Sequence, residues 1–309
     1  MTSNAATMNG AMGGASLWSR LMSGQAGPVT VVLIALFVIW YVGAVFMNAP
    51  TQIDRYNRAG ETWTTTRLIE DTLAQERPIL PAPHQVAQEM YKTIFATSIT
   101  SKRSLVYHTW VTLSSTLLGF VIGTALGILL AVGIVHVVTL EKSLMPWVIS
   151  SQTIPILAIA PMIVVVLGAI GLKGLVPKAI ISTYLCFFPV TISMVKGLRS
   201  PQVIQLDLMR TYNASKWQTF WSLRLPSAMP YLFASLKVAI AISLVGGIVG
   251  ELPTGAQAGL GARLLAGSYY GQTIQIWSAL LTAAFVAAIM VVMVGWCERR
   301  VLARMGVRG

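Results

Sequence analysis

Residue types that usually carry catalysis or metal binding are sparse in this chain and form no familiar spacing. Its three histidines, His84, His108 and His136, stand far apart, and no Ser-His-Asp order or metal-ligand spacing accompanies them. No Gly-x-x-x-x-Gly-Lys-Ser/Thr loop is present, so we do not expect the chain to hold ATP in the P-loop manner. We therefore predict no catalytic residue, no metal site and no cofactor on this chain, and we expect each histidine to lie at an interface.

Glu251 is the acidic residue with the most suggestive position, because it ends a long apolar stretch. An acidic side chain within a membrane segment is a candidate proton or ion site. Two structural alternatives stay open, namely pairing with Arg263 or capping of the next helix. The two cysteines, Cys186 and Cys297, lie in apolar stretches and predict neither a disulfide framework nor a metal site.

The composition places the chain in a lipid bilayer. Of its 309 residues 55% are hydrophobic and 10% are charged, and the mean hydropathy is +0.70. Soluble domains carry about 25% charged residues. The net charge of +12 fits the basic residues that accumulate in cytoplasmic loops of membrane proteins. No basic-aromatic module accompanies that charge, so we expect no nucleic-acid binding.

Apolar segments long enough to cross the hydrocarbon core as helices, at about 20 residues each, occur six times. They are residues 29–47, 105–135, 144–169, 176–196, 229–250 and 273–296. The first could instead be a secretory signal, but its length and the single preceding basic residue favour an uncleaved span. Residues 1–28 are rich in Gly, Ala and Ser and are predicted to be disordered. The chain is therefore predicted to be an all-α membrane protein with about six transmembrane helices.

Lysine and arginine in the short loops set the predicted orientation. They concentrate in the segment 197–228 and in the tail 298–309. An even number of spans places both termini on the same side, which we predict to be the cytoplasm. The segments 48–104, 170–175 and 251–272 then face outward.

The outer segment 48–104 is the one sizeable extramembrane region that the sequence predicts. Apolar side chains among the charges of residues 61–77 predict a short surface helix, ended by Pro78 and the prolines that follow it. An amphipathic stretch then runs to about Ser101. Two roles stay open for residues 51–77: a lid packed on the rest of the chain, or a surface for an outer partner.

Two prolines six residues apart, Pro155 and Pro161, lie in the third predicted span. Each removes a backbone hydrogen bond and bends the helix. Within a membrane, backbone carbonyls that lose their helical hydrogen bonds must bond instead to other protein groups or to water in a cavity. The prolines therefore indicate either a purely structural kink or a helix beside a pathway.

Small residues recur at every fourth position of the second span, from Gly119 through Gly123 and Gly127 to Ala131. This spacing puts them on one helix face, where another helix can approach closely. We predict packing within the chain, the alternative being an interface between two copies.

The segment from Asp207 to Pro226 predicts two short amphipathic helices joined by a turn. Asp207 near a helix start favours the positive end of the helix dipole. Asn213 tolerates the left-handed conformation that such a turn requires. Ser215 is the predicted N-cap of the second helix, which Leu225-Pro226 ends.

Three aromatic side chains, Trp217, Phe220 and Trp221, form an apolar knob on the second of these helices. From composition alone the knob is either a docking element for a groove in a partner protein or an interfacial helix resting on lipid.

The same segment resembles the signature loop of the membrane-spanning subunits of binding-protein-dependent ABC importers. The family pattern is Glu-Ala-Ala, three residues, Gly, nine residues, Ile, one residue, Leu-Pro. Its positions fall here on Asp207, Leu208, Met209, Asn213, Leu223, Leu225 and Pro226. The spacing is kept throughout, although only Leu225-Pro226 matches outright.

Further motifs are similar to those of the nitrate, sulfonate and taurine-like branch of this family. They are Leu80-Pro81-Ala82-Pro83 with Val86, the prolines of the third span, Phe187–Val190, Lys196–Arg199, and Glu251 with Gly259–Gly261. The resemblance covers about residues 80–297.

The resemblance implies a permease with the type I importer fold, located in the bacterial inner membrane, that performs no chemistry itself. ATP and magnesium would bind to separate ATPase subunits. A periplasmic or lipid-anchored solute-binding protein and a second permease copy, in a homodimer, would complete the system. The implied solute is small, of the sulfonate, nitrate, taurine or thiamine-precursor kind. The rival hypothesis is a secondary transporter driven by an ion gradient, with Glu251 as its candidate acid.

The resemblance also assigns roles to individual residues. The residues that would couple the permease to the ATPase lie in the loop 198–228 and are Asp207, Arg210, Asn213, Ala214, Trp217, Phe220, Leu225 and Pro226. The candidate pathway residues are Pro155, Pro161, Pro189 and Glu251.

Overall fold

The computed structural model describes residues 26–253 and 256–306 and is helical over almost all of them. The predicted disordered segment 1–28 lies almost entirely outside the described residues. The chain divides into two compact units, one up to Gln85 and the other from Val86 onward.

The first unit consists of a long helix and a short one. Helix α1 spans Ala26–Ala59, so it continues through Pro50 well past the predicted end of the span at residue 47. Helix α2 spans Thr65–Leu73, with Thr64 as its N-cap. The predicted surface helix therefore exists, but it ends five residues before Pro78, and the prolines do not terminate it.

Side-chain amides hold the proline-rich stretch that follows α2 within this first unit. The buried Asn48 donates to the Leu80 carbonyl at 2.8 Å and accepts from the Ile79 N–H at 2.7 Å. Trp40 Nε1 donates to the Pro81 carbonyl at 2.9 Å. These bonds satisfy backbone groups of a segment that has no regular secondary structure of its own.

Ten further α-helices follow in the described residues, together with a short 3₁₀ turn at Ser151–Thr153 and a π-helical turn at Phe220–Arg224. The helices are α3 (Pro83–Ile94), α4 (Leu105–His136), α5 (Val138–Ser150), α6 (Ile156–Ala169), α7 (Leu175–Leu198), α8 (Val203–Thr211), α9 (Lys216–Thr219), α10 (Leu225–Glu251), α11 (Leu260–Tyr269) and α12 (Thr273–Arg304).

Within the described residues, five continuous helical segments are long and apolar enough to cross a membrane. They are Gly27–Ala59, Leu105–His136, Leu175–Leu198, Lys216–Glu251 and Thr273–Arg304. A sixth span arises if Val138–Thr153 and Ile156–Ala169 are counted together, although they meet at a bend of 102°. The predicted number of spans agrees with this arrangement, but the predicted third span, 144–169, is two helices rather than one.

The core of the second unit is built where α4, α7 and α10 pack together. The small-residue face of α4 lies against α7: a Cβ on Gly123 would meet the Thr183 carbonyl at 3.0 Å, and one on Gly127 would meet the Phe187 carbonyl at 2.8 Å. Larger residues here would force the two backbones apart. The prediction that this face packs within the chain is therefore confirmed.

Candidate functional site

The predicted coupling segment, residues 203–226, begins with α8, whose first turn is closed by reciprocal hydrogen bonds between Gln202 and Gln205. The helix starts at Val203, so Asp207 is its fifth residue and not near its start as predicted. Its carboxylate forms an exposed ion pair with Arg210, at 2.9 Å. Three residues apart on a helix, these side chains stabilise the helix itself by a few tenths of a kcal/mol.

The turn between α8 and α9 is made by Asn213, which has a φ of 51°. Asn213 is the one non-glycine residue with a positive φ among the described residues, as its side-chain chemistry predicted. Ser215 then caps α9: its hydroxyl accepts from the Gln218 N–H at 3.2 Å, and the Gln218 side chain accepts from the Ser215 N–H at 2.8 Å. The predicted N-cap is confirmed. Ala214 lies between the turn and the cap.

The second half of the segment differs from its prediction. Leu225-Pro226 does not end the short helix, because the chain stays helical from Lys216 to Glu251. A π-helical turn at Phe220–Arg224 joins α9 to α10, and Leu225 and Pro226 form the first turn of α10. Pro226 has no N–H to donate to the preceding turn, and the π-helical turn lies directly before this interruption of the helical hydrogen bonds.

The aromatic knob forms as predicted, and it has two sides. The rings of Trp217, Phe220 and Trp221 contact one another, with centroids 5.4 to 6.3 Å apart. Trp217 is 69% exposed, whereas Phe220 is half-buried against the edge of His136, at 5.4 Å between ring centroids. One side of the knob therefore faces outward while the other is fixed to the end of α4.

Polar contacts attach the same segment to the ends of neighbouring helices. Arg224 donates to the Leu198 carbonyl at 3.2 Å, at the end of α7. The next residue, Arg199, pairs with Glu141 of α5 at 2.7 Å. These contacts join the segment to the end of α7, and the end of α7 to α5.

The three candidate pathway prolines lie on α6 and α7. Pro155 is the N-cap of α6 and Pro161 lies within it, and both are exposed in this chain. Pro189 lies within α7 and is half-buried. The 102° bend is at Pro155, whose ring cannot continue a helix from the preceding turn.

Glu251 is fully buried at the end of α10. It accepts hydrogen bonds from the Thr112 hydroxyl at 2.8 Å and from the Gly261 N–H at 2.7 Å. Lys178 Nζ lies 3.6 Å from its carboxylate. The carboxylate therefore caps α11, which is one of the two structural alternatives, but its charge partner is Lys178 and not Arg263.

Arg263 pairs instead with Glu89 of α3, at 3.5 Å. Burial lowers the pKa of the Arg263 guanidinium, and the Glu89 carboxylate opposes that change. The two glycines near Glu251 leave room for close contacts: a Cβ at Gly259 would lie 2.2 Å from the Glu251 carboxylate, and one at Gly261 would lie 2.3 Å from the Ile248 carbonyl.

His108 belongs to the same buried cluster and was not singled out by the sequence. Its Nδ1 accepts from the Gly259 N–H at 2.9 Å, so Nε2 carries the proton and donates to the Lys102 carbonyl at 2.9 Å. The side chain is buried. The spacing of 151 residues between His108 and Gly259 left no sequence signal for this contact.

No group of three or more His, Cys, Asp or Glu side chains in residues 26–253 and 256–306 is arranged to hold a metal ion. The structure thus presents a partly exposed aromatic knob, a broken helix and a buried polar cluster.

The family model of the binding-protein-dependent transport system inner membrane component matches residues 123–306, from the middle of α4 to the end of α12. This chain belongs to that family. It is a multi-pass membrane protein and the permease subunit of a binding-protein-dependent ABC importer.

Named relatives agree with this assignment. A probable ABC transporter permease protein of Haemophilus influenzae is 30% identical over 72% of this chain and 85% of its own length. The riboflavin transport system permease protein of Chloroflexus aurantiacus is 31% identical over 72% of this chain and 78% of its own. The formylaminopyrimidine transport permease protein of Halalkalibacterium halodurans is 28% identical over 77% and 79%.

Proposed function

We propose that this permease couples a partner ATPase to solute movement through the segment 205–226. The ATPase binds ATP and magnesium, and this chain contributes no catalytic group. The observation that carries the proposal is the two-sided knob: Trp217 is exposed for a partner, and Phe220 is fixed to the end of α4. An amphipathic helix with one free apolar side suits a groove on another protein.

Transmission from the knob into the membrane follows from its attachments. The Phe220–His136 contact joins it to α4, and the Arg224–Leu198 hydrogen bond joins it to α7. When two docked ATPase subunits close on ATP, two such segments approach each other and the attached helices move with them. That movement is a rigid-body switch between an inward-open and an outward-open state.

Two permease copies, a homodimer, enclose the pathway, and a solute-binding protein delivers the solute from outside. Both termini and the coupling segment face the cytoplasm. This orientation is supported by the basic residues of the segment 197–228 and of the tail 298–309.

A small heterocyclic molecule, resembling riboflavin or a pyrimidine precursor of thiamine, is the proposed solute class. Support comes from two of the relatives above, whose names state riboflavin and formylaminopyrimidine transport. Ligand-induced thermal stabilisation of the cognate binding protein, measured over a set of flavins, pyrimidines, sulfonates and nitrate, identifies the solute directly.

Reconstitution of the permease with its ATPase and binding protein in liposomes tests the proposed function. The expected result is solute uptake that requires ATP and stops when the ATPase is inactivated. Uptake by the permease alone, driven by an imposed proton or sodium gradient, would contradict the proposal and support a secondary transporter.

A further inference from the structure

The break between α5 and α6 is a short non-α-helical stretch within an apolar part of the chain. The α5 helix ends at Ser150, one 3₁₀ turn covers Ser151–Thr153, and α6 resumes at Ile156 after the bend of 102°. Pro155 precedes α6 in an extended conformation.

The depth of this break follows from its contact with α7. The Tyr184 hydroxyl donates to the Ser151 carbonyl. Tyr184 is the tenth of the 24 residues of α7, which places it about 14 Å from the start and about 21 Å from the end of that helix. The 13 residues of α5 independently place its end about 20 Å from its first residue. The break therefore lies beside the middle third of α7, a helix long enough to cross a hydrocarbon core about 30 Å thick.

Polar groups are exposed at this depth. The side chains of Gln152 and Thr153 are exposed, and the Gln152 amide reaches the Ser151 hydroxyl at 3.4 Å. The Thr153 hydroxyl donates back to the Ser150 carbonyl at 2.7 Å, which leaves its lone pairs facing out. Irregular backbone at membrane depth is tolerated only where it lines a water-filled cavity or is buried in protein.

The stretches of sequence that contain the break and the neighbouring part of α7 carry no charged side chains. No Asp, Glu, Lys or Arg lies between Lys142 and Lys173 or between Lys178 and Lys196. Amide and hydroxyl dipoles stabilise a neutral hydrogen-bonding molecule, whereas a bare ion leaving water would find no countercharge there.

We infer that the break at Ser151–Pro155 lines the solute pathway at the middle of the membrane, where Gln152 and Thr153 contact an uncharged, hydrogen-bonding solute. The inference rests on the proposed function and deepens it, since it places the solute contact and states its chemistry.

Cysteine reactivity tests the position of the pathway. Gln152→Cys is placed in full-length permease carrying Cys186→Ala and Cys297→Ser and reconstituted in lipid nanodiscs, which expose both faces. The probe is 2-hydroxyethyl methanethiosulfonate, which reacts with thiols in water. Val38→Cys is the matched lipid-facing control, because it lies midway along the apolar run of α1 and is 55% exposed. Thr65→Cys is the aqueous reference.

We expect the rate of thiol modification at position 152 to be within about tenfold of the rate at position 65. It should be at least tenfold above the rate at position 38, a difference of about 1.4 kcal/mol or more. A rate equal to that at position 38 would overturn the inference, whether lipid or the second copy covers the site. Spontaneous disulfide formation between two copies at position 152 would identify the second copy. Thr153→Cys provides a second variant should the first not assemble.

The charge of the probe tests the solute class. The anionic 2-sulfonatoethyl reagent is compared with the neutral one at positions 152 and 65. We expect the neutral reagent to be favoured at position 152 by about tenfold or more beyond its preference at position 65, because the anion loses hydration without a countercharge. Any smaller preference would contradict an uncharged solute. Neither measurement requires transport. The proposed function can therefore fail while this inference stands, and this inference can fail while the proposed function stands.

Discussion

Replacing one member of the buried Lys178–Glu251 ion pair should destabilise the permease strongly. Glu251 is fully buried and the Lys178 side chain is 7% exposed, with 3.6 Å between their charged groups. Gln at position 251 has the same shape and can still bond to Thr112 and Gly261, so the change removes mainly the charge. Breaking such a pair leaves an uncompensated buried ion and costs about 3–5 kcal/mol.

A double-mutant cycle separates the cost of the unpaired charge from the cost of altered packing. Glu251→Gln alone and Lys178→Met alone should each lower the unfolding temperature by on the order of 10 °C. The double variant has no orphaned charge and should recover at least half of that loss. Thermal unfolding of the purified permease, followed by size-exclusion chromatography of a fluorescent fusion, measures all four proteins under one condition.

Two results would refute this reasoning. If Glu251→Gln unfolds at the wild-type temperature, the carboxylate carries no charge that Lys178 must balance. If the double variant is no more stable than the less stable single variant, the loss comes from packing and not from an unpaired ion.

Three further predictions concern the turn, the helix interface and the topology. Asn213→Gly should preserve ATP-dependent uptake and Asn213→Val should lower it severalfold, because a β-branched residue fits a φ of 51° badly; equal uptake by the two variants would contradict a role for the turn. Gly127→Ala should destabilise the permease by about 1–3 kcal/mol, since its Cβ would meet the Phe187 carbonyl, whereas Gly168→Ala, with open space around it, should not; thermal unfolding decides between them. In a background without native cysteines, Thr65→Cys should react with an impermeant thiol reagent in intact cells and Tyr212→Cys only after the membrane is opened, and same-side labelling would overturn the orientation.

The local structure of the coupling segment was accessible from the sequence because its determinants are local. Asn is one of the few non-glycine residues that readily adopt the left-handed conformation, which marks Asn213 as the turn residue. Ser215 with Gln218 three residues later is an N-terminal capping signal. The join to α10 was predicted wrongly. Proline predicts a helix end or a helix start equally well, and only the π-helical turn before Leu225 decides between them.

Long-range partners were the part that the sequence could not supply. Glu251 and Lys178 are 73 positions apart, and Arg263 was the nearer candidate in sequence. The packing of α10 against α7 brings Lys178, and not Arg263, next to Glu251. No spacing in the sequence indicates that packing. The bend at Pro155 was anticipated as a kink, but neither its angle of 102° nor the hydrogen bond from Tyr184 to the Ser151 carbonyl beside it has a signal in the sequence.

The central claim is that the exposed side of the aromatic knob binds the ATPase, and affinity of the purified permease for its ATPase tests it most directly. Trp217→Asp places a charge where an apolar groove should close, at a cost of about 2–4 kcal/mol. Tyr269→Asp is the matched control, since Tyr269 is 79% exposed on α11, outside the coupling segment. We predict that Trp217→Asp weakens ATPase binding by roughly 30- to 1,000-fold while Tyr269→Asp leaves it unchanged. Unaltered binding by Trp217→Asp, in a permease that still inserts and unfolds normally, would contradict the account.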